Sequence, residues 1–438
     1  MDGIVEVARK VSEHGIVLDA GLCVKARNRN ASCDRCVRAC VAGAVSVDGC
    51  EVSLDSGACT DCGACVVACP TGALSAVSET QEALLGRALS AADAAGGEMV
   101  VACVELLGKA SGAVDFTKVA SVPCLKSVSP EILVEAVAFA GVERIRLAHA
   151  SCEECVRAGG EESACANASR ACELLTAWGS SANVKVSGKL PRAVRLAETQ
   201  GYDPNRRLFF SEVRDSAKNV AHASIDTALD GVFEDGAEEE PRIVRVNRFG
   251  VLPHGDSHRR AGLLDALDAL AERDFAVGGS DGVGDGAFPH GRLEAGTSFD
   301  GESSCRVDCG SEPGRRFVGA SATEDRGKER DWERVVGEGA WARVSIDTAR
   351  CNGCRMCAVF CPTGALFKFH TKKGLIGVKQ NVRECVACGC CADVCPEGAL
   401  SLDPGASVRQ VAEGEVLRFV LPKPRTRTEL SFDGVHVV

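Results

Sequence analysis

Cysteines placed two or three residues apart are the feature of this sequence that could do chemistry. Cys59, Cys62, Cys65 and Cys69, the last followed by Pro70, read C-x2-C-x2-C-x3-C-P. Cys351, Cys354, Cys357 and Cys361-Pro362 repeat that spacing, and Cys385, Cys388, Cys391 and Cys395-Pro396 repeat it again. The fourth group is a variant: nine residues separate Cys23 from Cys33, Cys36 and Cys40 follow, and no proline comes after. Each group precedes the same small phrase: AGAV at 42–45, TGAL at 71–74 and 363–366, EGAL at 397–400. Three cysteines at two-residue intervals wrap a loop round three irons of a [4Fe–4S] cube, and a fourth thiolate from elsewhere completes it. Zinc is the alternative, but it is usually held by two separated C-x2-C pairs. Three evenly spaced cysteines plus a Cys-Pro fit that pattern poorly.

Such loops need short elements to hold them. Between the two N-terminal groups, AVSVDGCEVSLD alternates about an Asp48-Gly49 turn; between the C-terminal groups, ALFKFHTKKGLIGVKQ does so about Lys373-Gly374. Both read as β-hairpins. The two pairs of groups resemble bacterial-type two-cluster ferredoxin domains, over roughly 20–75 and 343–402. In that family the cysteine before proline ligates the partner cluster. The resemblance therefore implies four cross-ligated sets: Cys23, Cys33, Cys36 with Cys69; Cys59, Cys62, Cys65 with Cys40; Cys351, Cys354, Cys357 with Cys395; and Cys385, Cys388, Cys391 with Cys361. The nine-residue insert VKARNRNAS is a basic loop over the first set. Two readings stand for it: a loop that tunes the cluster or joins a docking face, and a solvated insertion.

From about residue 81 the texture changes. Helices are expected at 81–95, 129–140 and 164–178, and short strands at 98–104, 117–123, 143–149 and 183–187, the order of a small parallel α/β sheet. Cys103 ends the first strand, Cys124 follows the second, and Cys152 and Cys155 follow the third. Parallel sheets build sites at the carboxyl ends of their strands, so these four cysteines are candidate metal ligands in one crevice. The stretch VPCLKSVSPEILVEAVAFAGVERIRLAHASCEEC resembles the small iron–sulfur subunit that links hydrogenase to heterodisulfide reductase in methanogens. That resemblance implies a [2Fe–2S] cluster relaying electrons between partner subunits. Cys103 stands alone where that family is expected to have two cysteines, and the final pair is C-x2-C rather than wider. A zinc or redox-active thiol site and buried structural cysteines are the alternatives.

The fold class expected is therefore α+β multidomain, with two ferredoxin-like two-cluster domains around a small parallel α/β domain. The division runs 1–80 ferredoxin domain, 81–188 α/β domain, 189–275 connector, 276–335 linker, 336–403 ferredoxin domain and 404–438 extension. In the connector, 243–249 reads as a strand and 257–274 as an amphipathic helix starting at Ser257. His254 and His258 read as exposed residues near that helix start rather than as ligands. Glycine fills 8 of the 24 positions from 278 to 301, which reads as linker. Within the linker, Cys305 and Cys309 are expected as free thiols, with a disulfide or metal clip as alternatives. Cys165 and Cys172, seven apart on a helix, are expected in the core; Cys50 and Cys390 are spare.

Composition narrows the function. A net charge of −11 argues against general affinity for nucleic acid or anionic membrane, and no apolar run approaches the ~20 residues of a membrane span. The first residues lack a signal-peptide core, so a cytoplasmic and, for oxygen-sensitive clusters, anaerobic setting is expected. Neither a P-loop nor a G-x-G-x-x-G opening a helix is present. The expectation is an electron-transfer subunit with four [4Fe–4S] clusters and a [2Fe–2S] cluster in the middle. Its partners would be redox proteins in a larger complex, hydrogenase-, heterodisulfide reductase- or dehydrogenase-like. Basic segments at 25–35, 368–383 and 422–427 are the expected docking sites. The alternatives are an enzyme with thiol or cluster chemistry in the α/β domain and an iron–sulfur redox sensor. Whether the chain is an enzyme is left open.

Overall fold

Short alternating segments punctuated by glycine can only make short strands, and the N-terminal cysteine region is built from them. The computed structural model describes residues 15–77, 79–110, 112–196, 252, 254, 255, 257–277, 306–309 and 331–423. In the N-terminal unit, strand β1 (Ile16–Leu18) leads into helix α1 (Val24–Arg27) and helix α2 (Arg35–Ala39). Strands β2 (Val45–Asp48) and β3 (Glu51–Leu54) form the expected hairpin, with Asp48 paired to Glu51 and Gly49 at φ +56° in the turn. Helix α3 (Ala64–Ala68) and strand β4 (Leu74–Ala76) follow, and β4 returns antiparallel to β1.

The middle unit begins with helix α4 (Gln81–Ala94), capped by Thr80, whose hydroxyl accepts from the Ala83 amide. Strand β5 (Glu98–Cys103), helix α5 (Val104–Lys109), strand β6 (Ala120–Val122), helix α6 (Pro130–Ala140), strand β7 (Arg144–Ala148), helix α7 (Gly160–Ala177) and strand β8 (Asn183–Ser187) complete the pattern read from the sequence. Ser129 caps α6 with Pro130 in its first turn, and Gly141 at φ +65° ends it. With a fifth strand β9 (Arg306–Cys309) the sheet order is β6-β5-β7-β8-β9, all parallel. Alternate residues of β5 face opposite layers. Met99 and Val101 pack with Leu133, Ile145 and Val184 beneath α4, α6 and α7, while Val100 and Ala102 pack with Leu107 and Val194. Helix α8 (His258–Val277) lays Leu263, Leu264 and Leu267 into the first of these cores, so the connector helix belongs to this unit.

Strand β9 (Arg306–Cys309) corrects the linker reading. It is the fifth strand, with Asn183 opposite Arg306 and Val186 opposite Cys309. A four-residue edge strand inside a glycine-rich and polar stretch is too short to register as a periodic pattern. Cys309 is not a free thiol: it forms a disulfide with Cys165 of α7. Cys172 is also disulfide-bonded, and it is buried in the core as expected. Cys305 and the strand expected at 243–249 lie outside the described residues.

The C-terminal unit comprises β10 (Val335–Val336), β11 (Ala342–Ile346), helix α9 (Met356–Phe360), β12 (Leu366–His370), β13 (Ile376–Asn381), helix α10 (Cys390–Asp393), β14 (Leu400–Pro404), β15 (Ala406–Ser407), helix α11 (Val408–Ala412) and β16 (Val416–Val420). Strands β12 and β13 form the second hairpin, and β11 pairs antiparallel with β14, matching β1 with β4 in the N-terminal unit. The boundary at 403 is also revised, because β15 pairs with β10 and β16 adds a third strand to the hairpin. Trp341, fully buried, donates its indole N–H to the Arg383 carbonyl and seats this unit on the middle core.

Candidate iron–sulfur centres

Three short helices begin inside a cysteine loop and end at the fourth cysteine of the group, which turns that thiol away from its own group. Cys40 follows α2, Cys69 follows α3 and Cys361 follows α9, each the residue at which the helix stops. Residues with positive φ bend the loops at two equivalent places in three groups: Asp61, Gly353 and Ala387 two residues after the first cysteine, and Gly63, Arg355 and Gly389 directly after the second. The result is four gatherings of thiols. Cys23, Cys33, Cys36 and Cys69 line one cavity. Cys65 lies within electrostatic reach of Cys62, Cys40 and Cys59. Cys351, Cys354, Cys357 and Cys395 line another cavity, and Cys361, Cys385, Cys388 and Cys391 a further one.

Burial and crowding make these thiols hard to ionise alone. Burial first, then neighbouring thiols, push Cys36 up to about 11 and Cys65 and Cys357 up to about 12; Cys388 and Cys391 lie well above the ordinary thiol. A cationic iron core is the partner that would let four such thiols deprotonate together. Backbone amides already point at sulfur. Ala44 N–H donates to Cys40 Sγ (3.2 Å), Ala399 N–H to Cys395 Sγ (3.3 Å), Gly353 N–H to Cys351 Sγ (3.4 Å) and Leu366 N–H to Cys361 Sγ (3.5 Å). Thr71 and Thr363 set hydroxyls 3.6 and 3.8 Å from the sulfurs of Cys69 and Cys361. Among the described residues no three Cys, His, Asp or Glu side chains form a group that could hold a single metal ion. A cube, in contrast, takes each thiolate on a different iron. The donor sets fit iron–sulfur cubes.

The carbonyl ends of the middle sheet also carry thiols. Cys103 Sγ accepts the Ala150 amide (3.2 Å), and Cys155 Sγ accepts the Arg157 amide (3.4 Å). Cys124 and Cys152 are brought together over Gly160, where a built Cβ would lie 3.0 Å from one sulfur and 3.5 Å from the other. Burial raises the Cys124 thiol, with Cys62 and Cys152 adding to the rise and Lys126 opposing it. Arg157 ties the two units by donating to the Thr60 carbonyl (2.8 Å). The middle cysteines therefore sit against the loop that carries Cys62.

Two families of contact were not foreseen from the sequence. Consecutive arginines at the start of α8 reach one ferredoxin-like unit each. Arg259 donates to the carbonyls of Val66 (2.7 Å) and Cys69 (2.6 Å), and Arg260 to those of Arg383 (2.9 Å) and Cys385 (2.8 Å). The Arg260 guanidinium also stacks 4.2 Å from the Trp341 ring, and burial lowers it to about 10. His254 sits with Nδ1 3.1 Å from the Cys361 carbonyl. The visible signal was the double arginine beside a helix cap; what it touches was not readable. Of the spare cysteines, Cys390 is fully buried with its thiol on the Phe360 carbonyl, and Cys50 stays free in the hairpin turn.

Comparison with known families now bears on these sets. Residues 331–399 match the 4Fe-4S dicluster domain family, and residues 52–75 match the 4Fe-4S binding domain family. The chain carries 4Fe–4S ferredoxin-type domains. The first match includes all eight C-terminal cysteines of the repeat; the second includes Cys59, Cys62, Cys65 and Cys69 but stops short of the variant group. No curated protein and no solved structure matches the chain. Among the described residues no helix is long and apolar enough to cross a membrane.

Proposed function

We propose that this protein is an iron–sulfur electron relay whose four thiol sets hold four [4Fe–4S] clusters, with a further centre in the middle unit. The observation that carries the reading is that the sets stand in file. Cys354, the exposed member of its set, marks one end. Cys391, in the adjoining set, lies within electrostatic reach of Cys357, and Cys390 within reach of Cys33. The set of Cys59, Cys62, Cys65 and Cys40 shares the N-terminal core with that of Cys23, Cys33, Cys36 and Cys69, and Cys62 reaches Cys124 at the other end. Bound there, a cube supplies reversible one-electron chemistry in which no bond is made or broken. The chain's residues would do the rest: sixteen thiolates fix the positions, amides and threonines on sulfur tune the potentials, and apolar cores exclude water.

At the exposed end, the β12–β13–β16 sheet offers Lys372, Lys373, Lys379 and Arg418 beside half-exposed Phe367 and Leu375. This surface suits an acidic redox protein, in line with the expected docking role of 368–383. The partners expected from the resemblance are complexes of the hydrogenase or heterodisulfide reductase kind, in an anaerobic cytoplasm. The test is pull-down and reduction under anaerobic conditions. A hydrogenase or reduced ferredoxin should bleach the visible iron–sulfur absorbance within mixing times, and Lys372→Glu with Lys373→Glu should slow it in low salt. No reduction by any protein donor, with full iron present, would refute the relay.

A second reading is favoured by the pairing of Cys124 and Cys152 over Gly160. A disulfide between them, taking two electrons one at a time through the adjacent set and two protons, would become a dithiol. Alkylation of Cys124 in reduced protein that lacks a [2Fe–2S] signal would favour this reading over the cluster.

A further inference from the structure

Four of the nine residues of the insert after Cys23, namely Val24, Arg27, Asn28 and Ala31, are buried, while Arg29, Asn30 and Ser32 are exposed. Val24 and Ala31 are each 2% exposed and pack with Val359, Phe360 and Cys390 of the C-terminal unit, in a cluster that also includes Cys33 and Cys388. Polar contacts fix the same junction. The Ser32 amide and hydroxyl donate to the Asp393 carboxylate (2.7 and 2.9 Å), and Arg35 donates to the Ala387 carbonyl (2.8 Å). At its centre Arg27, 2% exposed, donates to the Gly21 carbonyl (2.7 Å) and toward the Cys361 carbonyl (3.4 Å). Cys390, Cys361 and Cys388 lie within electrostatic reach of it, as does Asp19. A fully solvated loop does not match the burial of Val24, Arg27, Asn28 and Ala31.

We propose that the insert is an internal docking element joining the two ferredoxin-like units into one conductor, and that Arg27 is the positioning charge that sets the potential of the centre held by Cys361, Cys385, Cys388 and Cys391. Three observations support it. The Arg27 guanidinium reaches the backbone of a ligand cysteine itself, the Cys361 carbonyl at 3.4 Å. Of the thiols that Arg27 faces, Cys361 and Cys388 become anionic when they hold iron, and added negative charge on reduction strengthens the attraction, so Arg27 favours the reduced form. On the other side of the junction Arg259 and Arg260 hold the Cys69 and Cys385 carbonyls from a single helix, so the two inner sets are braced from both sides. The exchange across the junction moves one electron and no atom. The proposal rests on the relay reading for the presence of clusters.

The test is a potentiometric titration of the anaerobically purified, iron-replete full chain, followed by EPR and visible absorbance. Arg27→Gln should make one [4Fe–4S] transition harder to reduce. At fixed potential its reduced-to-oxidised ratio should fall about tenfold, which is about 59 mV for one electron. The other transitions should stay in place, and Arg27→Lys should recover most of the change. Asp393→Asn, on the exposed rim, keeps the proposal falsifiable if Arg27→Gln fails to load iron. It should slow equilibration between the two units after flash reduction, with iron content unchanged. Full iron with no shift in Arg27→Gln, or unchanged equilibration in Asp393→Asn when Arg27→Gln cannot be loaded, would overturn the proposal and leave the relay reading standing. Failure of any protein donor to reduce the wild type would remove the relay and leave the Arg27 shift measurable with dithionite.

Discussion

Replacing Cys40 by Ala tests the crossing of ligands between groups. Cys40 lies four residues after Cys36 in sequence, yet the structure sets it with Cys59, Cys62 and Cys65, its sulfur fixed by the Ala44 amide at 3.2 Å. If that set holds one cube, Cys40→Ala removes about four irons of about sixteen. Double variants then separate crossed from local ligation, because two substitutions in one set are not additive while two in different sets are. Cys40→Ala with Cys62→Ala should lose about four irons, no more than either alone. Cys40→Ala with Cys36→Ala should lose about eight. The assay is iron and acid-labile sulfide per chain on anaerobically purified protein, with EPR counting of reduced spins. A loss of about eight for the Cys40–Cys62 pair and about four for the Cys40–Cys36 pair would refute the crossed sets.

Three further outcomes are expected. Burial, then Glu131, Glu82 and Asp265, raise the Glu135 carboxyl from 4.5 to about 7 where α6 meets Gly262 of α8. The folded state therefore holds that proton more tightly than the unfolded chain, so its contribution is complete below about 4.5 and is lost as pH rises towards about 7. Glu135→Gln should stabilise the protein more at pH 8 than at pH 6, by at most on the order of 1 kcal/mol, as read by anaerobic thermal unfolding at the two pH values; an equal gain at both would contradict the assignment. The Cys165–Cys309 disulfide closes a separation of 144 residues, for which the chain-entropy model gives about 5 kcal/mol. Cys309→Ser should lower the denaturation midpoint under non-reducing conditions and change nothing in reductant. Gly160→Val should displace Cys124 and Cys152 and abolish any middle-unit signal while leaving about sixteen irons in place.

Much of the architecture was legible because local rules and global fold agree. The spacing of the cysteines, the Asp48-Gly49 turn and the Ser129-Pro130 helix start each specify a local geometry that the structure keeps. The parallel sheet of the middle unit followed from alternation of strand and helix, with Cys103, Cys124 and Cys152 at strand ends, while its strand order did not. What could not be read depends on contacts between distant segments. Strand β9 is four residues long and gains its partner only from β8, far upstream. The insert after Cys23 shows basic residues that suggest solvent, while the burial of its Val24 and Ala31 is decided by Phe360 and Cys390, more than three hundred residues away. Arg259 and Arg260 looked like an ordinary helix start, since carbonyl partners leave no trace in composition.

The count of iron and acid-labile sulfide per chain, with EPR after dithionite reduction, tests the central claim most directly. The account predicts about sixteen of each held as [4Fe–4S] clusters, rising to about eighteen with a [2Fe–2S] signal that Cys124→Ala removes. About eight irons would confine clusters to half the sets and break the file from Cys354 to Cys124. Stoichiometric zinc with little iron would contradict the relay altogether.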